Sequence, residues 1–329
     1  MKHNYPLSHI VIKPTLICNM NCPNCSKRQQ LYNDIKNDIK TKTMQYDDFV
    51  RIITEARQCY KSKVFIISGG EPLLYNRLFD LINVAKKLGY ETIDIHTNAS
   101  LLTSAITDKL LKIAGDILSF RISFGYANNR DFMLGRGVSN TKMYSNTIKN
   151  IKYLNNNKPS TTVTMQNVFL TTINLNSIGY LLHLNKILKF DKIMIDLLEG
   201  DFTGKRDPYR ITETDAVIFF TKYFNLVPNI YKKDIKYLVE TSIKTNYIQD
   251  KTVIDNCKNN NTFCIILNNG DLHMCNILEY SHEPCLNLYD YDLSITALRN
   301  SPEFDELIKN KSQYCNKCST NIFRVFTND

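Results

Sequence analysis

The sequence predicts an α/β fold: a partial (β/α)6 TIM-like barrel with a small C-terminal cysteine-rich subdomain. Two observations carry that reading. Six β-branched apolar runs alternate with amphipathic stretches through the first two hundred residues, and from Cys257 the pattern gives way to loop-like sequence holding six of the ten cysteines. Strand–helix alternation implies βαβ units and a parallel sheet. Six repeats exceed a five-stranded doubly wound sheet and fit an open or partial barrel.

The strands are expected at Ile10–Ile17, Val64–Ser68, Thr92–Thr97, Leu118–Phe124, Thr161–Val168 and Lys192–Leu197. Helices are expected between them, near Tyr46–Tyr60, Arg77–Leu88, Ser104–Ala114, Lys142–Leu154 and Asn176–Lys189. Beyond residue 200 come a loop at Thr203–Pro208 and helices at Glu213–Phe224 and Lys232–Ile248. The expected division is a barrel over 1–210, a helical connector over 211–256 and the cysteine-rich subdomain over 257–329, held by metal rather than by a core of its own. In barrels of this kind active-site residues gather at the C-terminal ends of the strands.

The 329 residues are 43% hydrophobic and 22% charged, with a formal charge of +9. Lysines are interleaved with acids, and the longest basic clusters are pairs such as Lys232-Lys233. No polybasic arm or basic, aromatic-rich patch is present, so no nucleic-acid partner is expected. Met1–Pro14 holds no apolar run of signal-peptide length and no segment approaches a membrane span, so the expectation is a cytoplasmic protein with no membrane partner. Thiols stay reduced in that compartment, so ten cysteines point to metal or redox chemistry rather than disulfides.

Three motifs sit at strand ends. Cys18, Cys22 and Cys25 form a C-x3-C-x2-C run after the first strand. Three thiolates there can hold three irons of a [4Fe–4S] cluster and leave the fourth open; the alternative is zinc, with Cys22/Cys25 and Cys315/Cys318 as two C-x2-C knuckles. Ser68-Gly69-Gly70-Glu71-Pro72 ends the second strand. Its glycines allow close backbone approach to a ligand, and Glu71 could accept hydrogen bonds from an ammonium. His96-Thr97-Asn98-Ala99 ends the third strand with polar groups suited to a ribose.

In this order the motifs resemble the radical S-adenosylmethionine (SAM) superfamily over roughly the first two hundred residues. The resemblance implies that Cys18, Cys22 and Cys25 ligate a [4Fe–4S] cluster whose open iron binds SAM. Reductive cleavage would give methionine and a 5′-deoxyadenosyl radical that takes a hydrogen atom from substrate. It places Gly69, Gly70 and Glu71 at the methionine part of SAM, Thr97, Asn98 and Ser123 at its ribose or carboxylate, and Arg136, of the Arg136-Gly137 pair, at the carboxylate. Asn24 departs from the family, which usually has an aromatic residue before the third cysteine.

In the tail, Cys257 is followed by twelve residues, Gly270, four residues and Cys275, and later by Cys315 and Cys318. This resembles the Twitch subdomain, a shortened relative of the SPASM domain, in which the four cysteines hold one auxiliary [4Fe–4S] cluster. No cysteine follows Cys318, so a second auxiliary cluster is not expected. A four-cysteine zinc knuckle fits the same spacing. Cys264 could replace Cys257 as a ligand; Cys264 and Cys285 could each also be a hydrogen-atom donor or a buried small hydrophobe, the fate expected for Cys59. His183 and His273 are read as packed or exposed rather than catalytic. Asp196 and Glu199 end the sixth strand, where a carboxylate can hold substrate or take a proton.

The resemblance implies an oxidoreductase or maturase acting by hydrogen abstraction, with an auxiliary cluster as a second electron path and a one-electron donor such as flavodoxin or ferredoxin. Its substrate would be a ribosomally made peptide that is oxidised, cross-linked or epimerised; the alternative is a small molecule such as a sugar or aminocyclitol. Seventeen residues before Cys18 leave no room there for a leader-binding domain, so a separate leader-peptide-binding protein would supply it. The rivals are a zinc-knuckle binding protein and a non-catalytic electron-transfer protein.

Overall fold

The computed structural model describes residues 7–25, 44–197, 209, 263–274, 285–315 and 324–327. The expected loop at 203–208, the helices at 213–224 and 232–248, and Glu199, Cys257, Cys275 and Cys318 lie outside the described residues.

Six parallel strands form the body of the sheet: β1 (His9–Lys13), β2 (Val64–Ile67), β3 (Thr92–Thr97), β4 (Leu118–Ser123), β5 (Val163–Leu170) and β6 (Lys192–Leu197). They lie side by side in chain order. Between them run α1 (Tyr46–Tyr60), α2 (Leu78–Lys87), α3 (Ser104–Ala114), α4 (Asn129–Arg136), α5 (Met143–Asn157) and α6 (Ile178–Ile187). The helices form because their apolar residues recur at helical spacing. In α1, Phe49, Ile52, Ile53 and Ala56 make one buried stripe. Its start is fixed by a reciprocal cap, in which the Gln45 N–H donates to Asp48 Oδ2 at 2.9 Å. At its end Cys59 is exposed, not buried as expected; Tyr60 is the residue packed against the core in that turn.

Successive strand side chains point to opposite faces. Ile10, Ile12, Phe65, Ile67, Ile93, Ile95, Phe120 and Ile122 face the helices and belong to the main core. The inner face carries a small apolar patch of Val11, Ile66, Ile265 and Leu267, then turns polar.

The described part of the tail departs from the loop-like expectation. Phe263–Leu267 (β7) pairs in parallel with β1; Asp271–His273 (β8) and Leu286–Asn287 (β9) extend that edge antiparallel. Helices α7 (Ile295–Arg299) and α8 (Pro302–Cys315) follow, and Arg324–Thr327 (β10) pairs antiparallel with β6 at the far edge. Among the described residues the sheet therefore has ten strands and is open. Cys264, Ile266, Leu272, Leu288, Ile295, Leu298 and Phe304 share the main core, so this part of the tail is held by apolar packing. Cys264 is among them: it faces the core, with burial pushing its thiol up to about 12, and does not stand in for Cys257 as a ligand. No helix among the described residues is long and apolar enough to cross a membrane.

Candidate active site

The C-x3-C-x2-C loop leaves β1 and is tied down by main-chain bonds. The Gly70 N–H donates to Thr15 O at 2.9 Å, and the Glu71 N–H to Ile17 O at 2.8 Å. This approach leaves no room for a side chain: a Cβ on Gly69 would collide with the Thr15 carbonyl, and one on Gly70 with those of Leu16 and Ile17. Gly69 also has φ +124°, a conformation open to glycine. The two glycines are needed to seat the cysteine loop on the end of β2.

Glu71 is placed differently from the ammonium reading. Its carboxylate is fully buried and accepts from Thr97 Oγ1 (2.7 Å), the Asn98 N–H (2.9 Å) and the Leu73 N–H (3.2 Å). Burial raises its pKa, while the donors from Asn98, Thr97 and Leu73 and the charge of Arg136 act in the opposite direction. Glu71 thus clamps the end of β2 to the end of β3 instead of offering itself to a ligand.

The Thr97-Asn98 pair is likewise engaged. Asn98 Nδ2 donates to Asn19 Oδ1 at 3.0 Å and approaches Cys18 Sγ at 3.9 Å, while Asn98 Oδ1 accepts from Ser100. Asn19 Nδ2 reaches Ser100 Oγ at 2.8 Å. The third strand end therefore holds the cysteine loop from the other side.

Arg136 closes the site. The Asn128 side chain caps α4, a helix of the barrel that the sequence reading missed, accepting from the Asp131 N–H at 2.9 Å. Arg136, its last residue, donates to the Ser123 carbonyl and points Nη1 at Cys22 Sγ, 3.7 Å away. Its carbonyl accepts from the Asn21 N–H at 2.9 Å. Burial disfavours the charge, but Cys22 and Tyr126 more than offset it and hold the pKa above the ordinary guanidinium value. Arg136 Nε is buried with no hydrogen-bond partner.

Cys18 keeps one side open to solvent, and Cys22 and Cys25 are half-buried. Loss of surrounding water pushes the Cys18 thiol up to about 11, opposed by the Met20 N–H, and Glu71, Cys22 and Cys25 add to the rise. Thiols that disfavour one another's ionisation need a cation to ionise together. With a guanidinium beside Cys22 and an unpartnered Nε behind it, the donor set fits an anionic iron–sulfur cluster.

Below the strand ends the inner face carries a charged layer absent from the sequence reading. Asp94 Oδ2 lies 2.9 Å from His96 Nε2 and 3.8 Å from Arg121 Nη2. The register pairs His96 with Arg121, and alternation puts Ser123 on the same face one layer up. Burial keeps His96 below its ordinary pKa and so neutral at pH 7. Burial would raise the Asp94 pKa, but His96, Arg121 and Ser119 hold it below the usual carboxylate value.

Among the remaining expected residues, Asp196 is the last but one residue of β6, in register with Phe169, and Cys315 is the last residue of α8. Cys285 lies beside β9, where burial foremost, then Asp271, pushes its thiol up to about 12. His183 is exposed and His273 buried.

Three cysteines, a glycine turn and an Asn gather at the ends of the first three strands of this open barrel, an arrangement that fits a cluster and a small cofactor. Residues 12–184 match the family described as the radical SAM superfamily, more than half of the chain, and the chain belongs to it. Membership implies SAM and a [4Fe–4S] cluster. Among curated proteins the chain is similar to 7,8-dihydro-6-hydroxymethylpterin dimethyltransferase of Methanocaldococcus jannaschii, 22% identical over 203 residues. That match covers 60% of this chain and 37% of the relative, so the chain spans little more than a third of its length. Among solved structures it is similar to Streptococcus suis SuiB bound to S-adenosylmethionine, with 18% identity, 93% of this chain and 68% of that one covered, and a TM-score of 0.66. SuiB bound to precursor peptide SuiA gives 19%, 96%, 71% and 0.64, and anSMEcpe with bound AdoMet and the Cp18Cys peptide gives 15%, 96%, 87% and 0.63. At such identities the likeness is one of fold.

Proposed function

We propose that this radical SAM enzyme acts on a ribosomally made peptide, completing an oxidation, cross-link or epimerisation after hydrogen abstraction. The observation that carries the chemistry is the cysteine loop held between Gly70, Asn98 and Arg136. When bound, the cluster and SAM supply one-electron reductive cleavage of SAM and removal of a hydrogen atom from a substrate carbon. This chain's residues position them. Cys18, Cys22 and Cys25 hold the cluster, and Arg136 balances thiolate charge and is available to a SAM carboxylate. Gly69 and Gly70 offer backbone to the methionine end, and Thr97, Asn98 and Ser123 line the ribose side. Cys257, Cys275, Cys315 and Cys318 hold an auxiliary [4Fe–4S] cluster that passes a second electron, and flavodoxin or ferredoxin feeds the first.

The peptide reading is supported by the shared fold of SuiB and anSMEcpe, whose structures include bound peptides. Asp196, Glu199 and Cys285 are the candidates for taking a proton or giving a hydrogen atom to such a substrate. A small-molecule substrate is the second reading, favoured by the similarity to an enzyme of a dihydropterin.

The test is anaerobic. The reconstituted protein with SAM and dithionite should release 5′-deoxyadenosine, and the Cys18/Cys22/Cys25→Ala variant should release none. Iron should fall from about eight to about four per chain in that variant, as expected for two four-iron clusters. Absence of SAM cleavage by the iron-loaded wild type would refute the proposal. Stimulation of cleavage by aminocyclitols or pterins, and not by candidate precursor peptides, would move the substrate to the second reading.

A further inference from the structure

At the edge of the sheet, four strands along from β3 with its third motif, β8 and β9 bring together Asp271, His273 and Cys285, where a metal-binding role for Cys285 replaces the hydrogen-donor role considered above. Asp271 and His273 are two apart on β8 and so share a face. The ladder pairs Asp271 with Asn287 and Leu272 with Leu286, and one further step sets Cys285 opposite His273. On the other side His273 pairs with Ile265, which places the group on the inner face beside the Ile265/Leu267 patch. One ligand atom from each of Asp271, His273 and Cys285 lies within 4.8 Å of the other two.

The carboxylate is braced. Asp271 Oδ2 accepts from Asn269 Nδ2 at 2.7 Å, and Oδ1 from Asn287 Nδ2 at 2.9 Å. Asn287 is fixed in turn, donating to Asn269 O at 3.1 Å and accepting from the Tyr289 N–H at 3.0 Å. Hydrogen-bonded support of this kind orients carboxylates that bind metal ions. His273 is buried and Cys285 half-buried, so an ion here would be shielded from bulk water on one side.

We infer that Asp271, His273 and Cys285 form a mononuclear site for a divalent metal ion of borderline softness, zinc above all, separate from the cysteine sets assigned to iron–sulfur clusters. One sulfur, one nitrogen and one oxygen donor suit that ion better than magnesium or calcium, which take oxygen sets. Tetrahedral zinc ligands at about 2.0–2.3 Å from the ion stand roughly 3.3–3.8 Å apart. The present limit of 4.8 Å between ligand atoms must shrink by about 1 Å to reach that spacing. Three protein ligands leave a fourth position for water or a substrate donor, in which an ion acts as a Lewis acid.

The experiment uses the full chain, cluster-reconstituted under anaerobic conditions, incubated with Zn2+ and desalted. Zinc and iron are counted together, and the zinc edge is read by X-ray absorption. The wild type should hold one added zinc with mixed sulfur, nitrogen and oxygen coordination. Cys285→Ser and His273→Asn should each retain at least tenfold less zinc at the same free zinc, with iron unchanged. The Asp271→Asn variant, which keeps the size of the third ligand's side chain but removes its charge, should also weaken zinc binding with iron unchanged. The site is refuted if wild type retains no zinc, if the variants retain as much as wild type, or if the coordination is all sulfur, which would put zinc on the tail cysteines. Loss of iron alongside zinc in the variants also overturns it, because the group would then be bracing the auxiliary cluster. Since SAM cleavage is not the readout, failure here leaves the radical SAM assignment standing.

Discussion

Replacing Gly70 by alanine should disable the cluster loop more than it disturbs the fold, and the size of the effect follows from the geometry. Gly70 has no left-handed torsion, so what it supplies is space. An added Cβ would collide with Ile17 O and lie 2.5 Å from Leu16 O, whereas ordinary contact begins at 3.4 Å, so the loop must retreat by at least about 0.9 Å (3.4 − 2.5). That movement pulls on the Gly70–Thr15 and Glu71–Ile17 bonds, which have little slack at 2.9 and 2.8 Å. Two hydrogen bonds at about 1 kcal/mol each and an overpacking term of about 1–3 kcal/mol give a loss of roughly 3–5 kcal/mol. Gly89→Ala is the control. Gly89 has φ +81° but open space around it, the nearest atom being the Arg57 side chain at 3.7 Å, so its cost is torsional, about 1–2 kcal/mol. Both variants are compared by urea unfolding and by iron retained on the N-terminal cluster. Gly70→Ala should lose most of that iron and Gly89→Ala almost none. Equal unfolding midpoints with full iron in both would refute the argument from close approach.

Three further outcomes follow from the described contacts. Glu55 on α1 accepts from Ser294 Oγ and from the Ile295 and Thr296 N–H groups at 2.8–3.0 Å, pinning α7 to the barrel; Glu55→Ala should cost about 2–3 kcal/mol by the usual worth of such bonds and expose the segment around 290–315 to protease. A midpoint unchanged within error would discard that role. His96 titrates below its ordinary 6.5 in the fold because it is buried, so the unfolded chain binds the proton first and stability falls as pH drops below about 6.5. His96→Gln should flatten the thermal midpoint between pH 7 and 5.5, and an unaltered slope would count against it. Finally, iodoacetamide at pH 8 should label exposed Cys59 and spare Cys264, whose thiol is pushed up to about 12 by burial; labelling of Cys264 in the folded protein would contradict its place in the core.

The barrel was legible because its signals are local and periodic. Strands β3 and β6 and helices α1 and α3 match the expected ranges residue for residue. Helix α4 was missed because Asn129–Arg136 buries only Phe132 and Gly135, too little apolar repetition to read. The tail strands were missed for another reason: the run Phe263–Leu267 is short, and its burial comes from pairing with β1, some 250 residues away in the chain. Glu71 was assigned to an ammonium because its partners, Thr97 and the Asn98 N–H, lie 26 and 27 residues on and become neighbours only when β2 and β3 pair. The chemistry of the motif was readable, but its direction was not. The Asp94–His96–Arg121 layer escaped for the same reason, since Arg121 joins it through strand register.

The cysteine loop is held by protein contacts on several sides. Its carbonyls at Thr15 and Ile17 take bonds from the Gly70 and Glu71 amides, its Asn21 amide is held by Arg136 O, and Asn19 is bonded to both Asn98 and Ser100. These partners come from the ends of β2 and β3 and from α4, all rooted in the apolar core, so the loop inherits their rigidity. Such preorganisation lowers the ordering cost when a cluster binds. The consequence is measurable by hydrogen exchange on the iron-free protein. The amides of Gly70, Glu71 and Asn21 should keep protection close to that of the strand interiors, because their acceptors are already in place. If removing iron lets these three amides exchange as fast as an exposed turn, the loop is organised by the metal, and the clamp formed by Gly70, Glu71 and Arg136 is a product of cluster binding rather than its precondition.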